Sequence, residues 1–403
     1  MPYILKQPLA DSPGIITFTQ NEALRGVAAP GGRVAAYLNE ATRRGEWLFG
    51  IHIQGDMSNA PGWPREPWQA FFMWPDPSAS FLHNIPAEDL IPLNCVNFIP
   101  GGELDAERST RRFDLCIVSR PSPVKRIRET LLTIKALMNR RPDVEAILVV
   151  PDPRLFDRGE ASYELLGLDR AFFELPKKLF SSDELARLSF ISSSQTAFGT
   201  FPLSDRLIRD LYEQSKFVLL TSHSEGTPRV IAEALIVGTP CIVSKHLRSG
   251  ILHYLDDSNA VRIDDDPEAA AAQIDEALSA VGRFRVDRAK MRAMFSAEHN
   301  RQPLLDHFAA FFARRGKPMQ GRWFLDDLHL RLACHGRKHN YQFMSNEALF
   351  FEWIGKVRDM ETYDEDALFG SDPLDDVVAR PWEAQGSGWW QRSVRAVSHL
   401  WRA

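Results

Sequence analysis

The sequence predicts an α/β protein built around a doubly wound parallel sheet. Three observations carry this: short apolar runs that read as strands buried on both faces, segments of helical period between them, and turn residues at the joints. The 403 residues, 44% hydrophobic and 25% charged, hold enough apolar mass for two cores. Residues 1–108 are rich in Pro, Gly and Trp, with one clear helix pattern, GGRVAAYLNEATRRG from Gly31, and one strand-like run, WLFGIHI from Trp47. The rest of that segment reads as irregular. At Phe113 the text changes: FDLCIVSR reads as a buried strand, Ile127–Asn139 as a helix, and VEAILVV from Val144 as a second strand. The rhythm resumes with SFISSS from Ser189, a helix over Asp205–Gln214, FVLLTS from Phe217, a helix over Pro228–Val237, CIVS from Cys241 and AVRI from Ala260. PEAAAAQIDEALSAV, opened by Pro267, closes the unit. Residues 301–403 read as mostly helical, with a break near Gly370–Pro373. The expected organisation is an N-terminal domain over 1–108, a Rossmann-type domain over 109–300 and a helical extension over 301–403.

Charge and cysteine use exclude several classes. Lys and Arg number 48 against 53 Asp and Glu, a net charge of −5, so no strong field draws the chain to nucleic acid. Cys95, Cys116, Cys241 and Cys334 lie far apart, which indicates neither a disulfide framework nor a paired metal site. The amino terminus lacks a basic segment followed by a long apolar one, and no run of about 18 apolar residues occurs. These features predict a cytoplasmic setting, with the inner face of the membrane as its variant.

Chemistry concentrates in Phe217–Ser244. A buried strand ends at Ser222, a short loop carries Glu225 and Gly226, and Pro228 stands where a first helical residue would, its missing N–H costing nothing there. A helix start at the carboxyl end of a parallel strand offers free N–H groups and a positive dipole end, which suits a phosphate or diphosphate. Gly226 would let such a ligand approach the backbone. Glu225 and Glu233 flank this point, and carboxylates accept hydrogen bonds from hydroxyls, so a polyol-bearing phosphate fits better than a bare anion. Taken alone, two acids at this spacing are more often a capping residue and a solvated helical one.

The stretch Glu225-Gly-Thr-Pro-Arg-Val-Ile-Ala-Glu233, continuing to Gly238 and Pro240, resembles the E-x7-E signature of the retaining glycosyltransferases of the family-four, GT-B type. VSRPSPVK, with Arg120 and Lys125, is similar to the segment with which those enzymes grip the donor diphosphate, and Phe198–Leu220 to the strand, turn and helix before the signature. The resemblance spans roughly residues 113–280. It implies two Rossmann-type domains facing a cleft, the N-terminal one reduced or divergent, with the extension packing back on it. It implies catalytic roles for Glu225, Arg120 and Lys125, and donor contacts from Gly226, Thr227, Pro228, Arg229 and Glu233. Glu225 would meet hydroxyls of the transferred sugar, Glu233 the ribose, and the backbone after Gly226 the phosphates. Arg229 is equally a phosphate contact or an exposed helix-start cation. KHLRSGILHYLDD keeps Gly250 of a following family turn but places His253 where the family often has an acid. The implied activity is transfer of a sugar from a nucleotide-diphosphate donor to a glycan, lipid-linked or other acceptor, with retention and without metal or cofactor. The alternatives are a nucleotide-sugar epimerase or hydrolase, and a non-catalytic nucleotide-sugar-binding protein.

Other features invite weaker readings. Asp264–Asp266 formally contains Asp-x-Asp, yet its place between a strand and a Pro-started helix points to capping rather than metal. Cys334, His335 and His339 lack a second ligand pair. His52 and His83 are the acceptor-side candidates of the N-terminal domain, with structural histidines as the competing account. Trp390, Val394, Val397 and Trp401 share one face of a basic amphipathic helix over 388–402 that would either touch an anionic membrane or pack internally.

Overall fold

The computed structural model describes residues 2–55, 57, 60–100, 111–119, 123–150, 175–191, 205–332 and 347–358. Two sheets organise it. The first contains β1 (Tyr3–Lys6), β2 (Gly14–Thr19), β3 (Trp47–His52), β4 (Gln69–Met73) and β5 (Leu90–Ile91) in that spatial order. β1 pairs antiparallel with β2; the remaining pairs are parallel. The second contains β6 (Phe113–Val118), β7 (Ala146–Val149), β8 (Leu188–Ile191), β9 (Ser215–Leu220), β10 (Cys241–Ser244) and β11 (Ala260–Ile263), ordered β11-β10-β9-β6-β7-β8 and parallel throughout. Here the chain builds outward from β6 to β8, returns, and builds the other way from β9 to β11. The reversal between β6 and β9 opens a crevice at the carboxyl ends of these strands, the place where open α/β sheets bind ligands. In the first sheet β2–β5 follow one another in chain order without such a reversal. That sheet is the reduced one.

Local chemistry accounts for the elements. Asp266 caps the helix Pro267–Ser279 by accepting the Ala269 amide at 2.9 Å, with Pro267 in the first turn. The helix Ile127–Arg140 buries Ile127, Leu131, Ile134 and Leu137 at helical spacing. Together these two helices cover one face of the second sheet, over Leu115, Ile117, Phe217 and Leu219. The N-terminal segment is more regular than its composition suggests. YILK and GIITFT are strands buried at every position, so they lack the alternation that marks a half-exposed strand, and prolines at 8 and 13 break them up.

The other face of the second sheet shares its core with the first domain. Phe71, Val96 and Phe98 join Val218, Ile231, Leu235 and Phe308 in one buried cluster, and each such side chain contributes about 1.5–3 kcal/mol of burial. A backbone rung ties the parts: Ile99 N donates to Phe295 O at 2.9 Å and Ala297 N to Ile99 O at 3.0 Å. The helix Ala297–Arg314 sets the rings of Phe308 and Phe311 5.1 and 6.2 Å from Phe71. Phe324 N donates to Leu5 O at 2.9 Å along the edge of β1, and the helix Glu347–Arg358 places Phe350 against Phe18.

Lys6 pins this edge from inside. Fully buried, its ammonium donates to Ser12 Oγ at 2.8 Å and to the carbonyls of Gln7 and Pro13 at 3.0 Å, while Ser12 Oγ accepts the Gln320 amide at 3.1 Å. Burial pushes this ammonium down to about 8 from 10.5. Between those pH values the unfolded chain keeps a proton that the folded chain has lost, so stability rises with pH there. Relative to Lys6→Met, the wild-type protein should gain stability as pH rises from 8 to 10, by at most about 1.4 kcal/mol per pH unit. Urea unfolding of both proteins across that range checks this; a constant difference would contradict it.

Candidate active site

The crevice between β6 and β9 is bridged by two side chains. Lys125 ends the turn Pro123–Lys125 that follows β6, and Glu225 stands in the loop after β9. Lys125 Nζ donates to both carboxylate oxygens of Glu225, at 2.5 and 2.7 Å, with 20% and 11% of the two side chains exposed. Partial burial and bidentate contact make this stronger than an exposed surface pair. The Glu225 loop is itself stitched to the loop after β10. Glu225 N donates to Arg248 O at 3.0 Å, Arg248 N to His223 O at 2.8 Å, and Gly226 O accepts from Gly250 N at 2.9 Å and Ser249 Oγ at 2.5 Å.

The helix after this loop runs Arg229–Ile236, with Pro228 as its cap rather than its first residue (φ −66°, ψ 115°). Pro's fixed φ serves as well one position earlier. Gly226, Thr227 and Pro228 are buried under the first domain. A methyl group on Gly226 would stand 1.4 Å from the carbonyl oxygen of Gln54, and Thr227 Oγ1 lies 3.5 Å from Cys95 Sγ. The close approach that this glycine permits is therefore made by the protein's own backbone, which corrects the expectation of an open face for a ligand.

Glu233 is not a solvated helical residue. It accepts from Arg229 Nη2 at 2.8 Å and Nε at 3.1 Å and from the Tyr212 hydroxyl at 3.2 Å. Burial and the neighbouring Glu233 raise the Tyr212 phenol well above its ordinary value, so it stays a donor. Arg229 is thereby turned onto its own helix.

A second cluster flanks Lys125. Arg126 Nη1 and His223 Nε2 both meet Asp265 Oδ1, at 2.7 and 2.8 Å, and Ser244 Oγ lies 3.1 Å from the same oxygen. Desolvation and the adjacent Arg126 lower the His223 pKa. Of the acidic triplet, Asp264 pairs with Lys245, Asp265 carries this cluster and Asp266 caps its helix. Among the described residues no group of three or more His, Cys, Asp or Glu could hold a metal ion.

The two acceptor-side histidines differ in environment. His52 lies inside the first sheet, fully buried, its Nδ1 bonded to Thr17 Oγ1. Burial pushes its pKa well below 6.5, so it is a neutral core residue with no surface to offer an acceptor. His83 is exposed, with Nδ1 2.7 Å from Ser80 O in its own turn. Arg120, Cys334, His335, His339 and the amphipathic segment 388–402 lie outside the described residues. Among the described residues no helix is long and apolar enough to cross a membrane.

Residues 191–295 match the family model Glycosyl transferases group 1. This segment is similar to group 1 glycosyltransferases. It runs from the end of β8 to the helix Arg288–Phe295 and so contains Glu225, Glu233 and the loop after β10. No curated protein matches the chain in sequence. Among solved structures, S. aureus TarM, in complex with fondaparinux, α-GlcNAc-glycerol and UDP, is 12% identical over 64% of this chain and 51% of that one, with a TM-score of 0.44. The pneumococcal O-GlcNAc transferase GtfA, with UDP and GlcNAc, is 13% identical over 69% and 55%, with a TM-score of 0.46. Anabaena Alr3699/HepE, with UDP and glucose, is 16% identical over 69% and 76%, with a TM-score of 0.49. The chain thus spans about half the length of TarM and GtfA.

Sequence reasoning passed over Gln54, Tyr212 and Arg126 around this candidate site, and it read Asp265 as part of a capping triplet. A signal existed for Asp265: three acids precede a helix that needs one cap, so one of the others was free to face the strand ends. Gln54 and Tyr212 act through contacts distant in the chain, which no local pattern announces.

Proposed function

We propose that the chain is a glycosyltransferase that moves a sugar from a nucleotide-diphosphate donor to a glycan, lipid-linked or other acceptor, with retention of configuration and without a metal. The observation that carries this reading is the Lys125–Glu225 pair at the strand-order reversal, of which Glu225 lies inside the segment that matches group 1 glycosyltransferases. An ammonium for the departing diphosphate and a carboxylate for sugar hydroxyls stand there side by side. Lys125, with Arg120 and the helix start after Gly226, would stabilise the charge that builds on the leaving phosphate. Glu225 would hold the sugar, and Glu233 would reach the ribose by exchanging its bonds to Arg229 and Tyr212 for ribose hydroxyls. Seating a phosphate against Gly226 requires the Gln54 loop to withdraw, so donor binding and domain movement are coupled. Shared burial between the domains helps keep water out of the closed site.

A thermal-shift panel of uridine, guanosine, adenosine and cytidine diphosphates tests the donor class, since a ligand that binds only the folded state stabilises it by an amount that grows with the logarithm of its concentration relative to its Kd. Stabilisation by none of the four would overturn the reading. Lys125→Ala should weaken the nucleoside diphosphate about tenfold or more, the value of a charge-assisted contact, and the monophosphate much less. Equal loss for both would place Lys125 away from the outer phosphate.

The seat of Gln54 on Gly226 and the reduced first sheet favour one second reading, a nucleotide-sugar-binding protein without transfer activity. Acceptor-dependent release of nucleoside diphosphate would exclude it, and donor binding with no turnover over a broad acceptor panel would support it.

A further inference from the structure

Arg126 follows Lys125 directly and adopts the left-handed conformation (φ 50°, ψ 38°) before the helix Ile127–Arg140 begins. Such a conformation is unfavourable for any residue with a side chain and free for glycine. The backbone there is well held: Arg126 O accepts from Thr130 N at 3.0 Å and Thr221 Oγ1 at 3.2 Å, while Lys125 O lies 3.4 Å from Thr221 Oγ1. Those bonds would hold a glycine equally well, so they do not explain an arginine.

The side chain supplies the explanation. Its guanidinium reaches Asp265, and Asp265 sits on a stiff corner between β11 and the helix Pro267–Ser279. There Asp265 N donates to Asp264 Oδ1 at 2.7 Å, and Asp264 N to Gln273 Oε1 at 2.7 Å. With 18% of Arg126 and 28% of Asp265 exposed, the charge pair is partly desolvated.

We propose that Asp265 is a positioning residue for Lys125. By drawing the Arg126 guanidinium across the strand ends, it offsets the cost of the left-handed turn and thereby sets the direction in which Lys125 leaves the backbone toward the crevice. This rests on the reading of Lys125 as a diphosphate contact. The grip on the outer phosphate then depends on a carboxylate 140 positions away that touches no ligand.

The experiment compares nucleoside diphosphate with monophosphate binding by calorimetry in four full-length proteins: wild type, Asp265→Ala, Arg126→Gly, and both changes together. Asp265→Ala should weaken the diphosphate roughly five- to thirtyfold, the equivalent of a left-handed penalty left uncompensated, and the monophosphate little. Arg126→Gly should bind like wild type, because glycine takes the turn without help. In the double variant the loss should be rescued, which no general destabilisation by Asp265→Ala would produce. An equal loss from Asp265→Ala with and without Arg126→Gly, or no loss at all, would overturn the proposal. A wild-type protein that does not distinguish diphosphate from monophosphate would overturn the site reading itself, and it shows in the wild-type arm alone.

Discussion

Glu225→Gln should lower sugar transfer by about 10²–10³ or more, while affinity for the nucleoside diphosphate stays equal or improves. The amide keeps the size of the carboxylate and can still bond a sugar hydroxyl, but it carries no charge to oppose the positive charge that grows on the sugar as the diphosphate leaves. The direction for binding follows from the ion pair. Lys125 is held by both Glu225 oxygens, at 2.5 and 2.7 Å, and must loosen that hold to serve a phosphate. A neutral amide oxygen competes for the ammonium less than a carboxylate does. Transfer assays with labelled donor and calorimetry with the nucleoside diphosphate measure the two effects separately. Undiminished transfer would remove Glu225 from the reaction. Weakened diphosphate binding would show that the pair orders Lys125 for the phosphate instead of competing with it.

The second domain was legible because its signals are local. Unbroken apolar runs such as FDLCIV and FVLL, punctuated by Pro228 and Pro267, mark parallel strands and helix starts within a residue or two, while the strand order is given by the structure alone. Lys125 and Glu225 were each singled out in the sequence, Lys125 through the resemblance alone, and that they form a pair at the reversal is seen only in the structure. The first domain was legible only in part: the helix Arg33–Arg43 has a clear apolar stripe, but the fully buried strands β1 and β2 carry no period to read. His52 looked available because a histidine in an apolar strand gives no hint of which neighbours will enclose it. The partners of Glu233 could not be read because Tyr212, which bonds it, arrives on another helix. The occupation of Gly226 by Gln54 is a contact between sheets, and sequence could announce the need for a glycine without saying what would approach it.

That contact makes Gly226→Ala the most disruptive small change expected outside the charged pair. The new methyl carbon would stand 1.4 Å from the Gln54 oxygen and 2.2 Å from its carbonyl carbon, so backbone, not a flexible side chain, must give way. Neither side yields readily. The Gln54 and Gly55 amides are clasped by Gln20 Oε1 at 2.6 and 2.8 Å, and Gly226 O is held by Gly250 N and Ser249 Oγ. Relief requires breaking one of these sets or parting the domains at this point, and overpacking of this kind costs about 1–3 kcal/mol or more. Gly250→Ala is the matched comparison, because there a methyl meets side-chain atoms of Trp74, Pro75 and Thr227 at 2.8–3.1 Å instead of backbone at 1.4 Å. Gly226→Ala should therefore lower the melting temperature more than Gly250→Ala and raise the radius of gyration in solution scattering as the domains separate. It should also lower transfer, because the added methyl would occupy the backbone face against which the donor phosphate is proposed to seat. Equal melting temperatures and an unchanged radius of gyration would show that Gln54 does not rest on Gly226 in solution, and the coupling of donor binding to domain movement would fall with it.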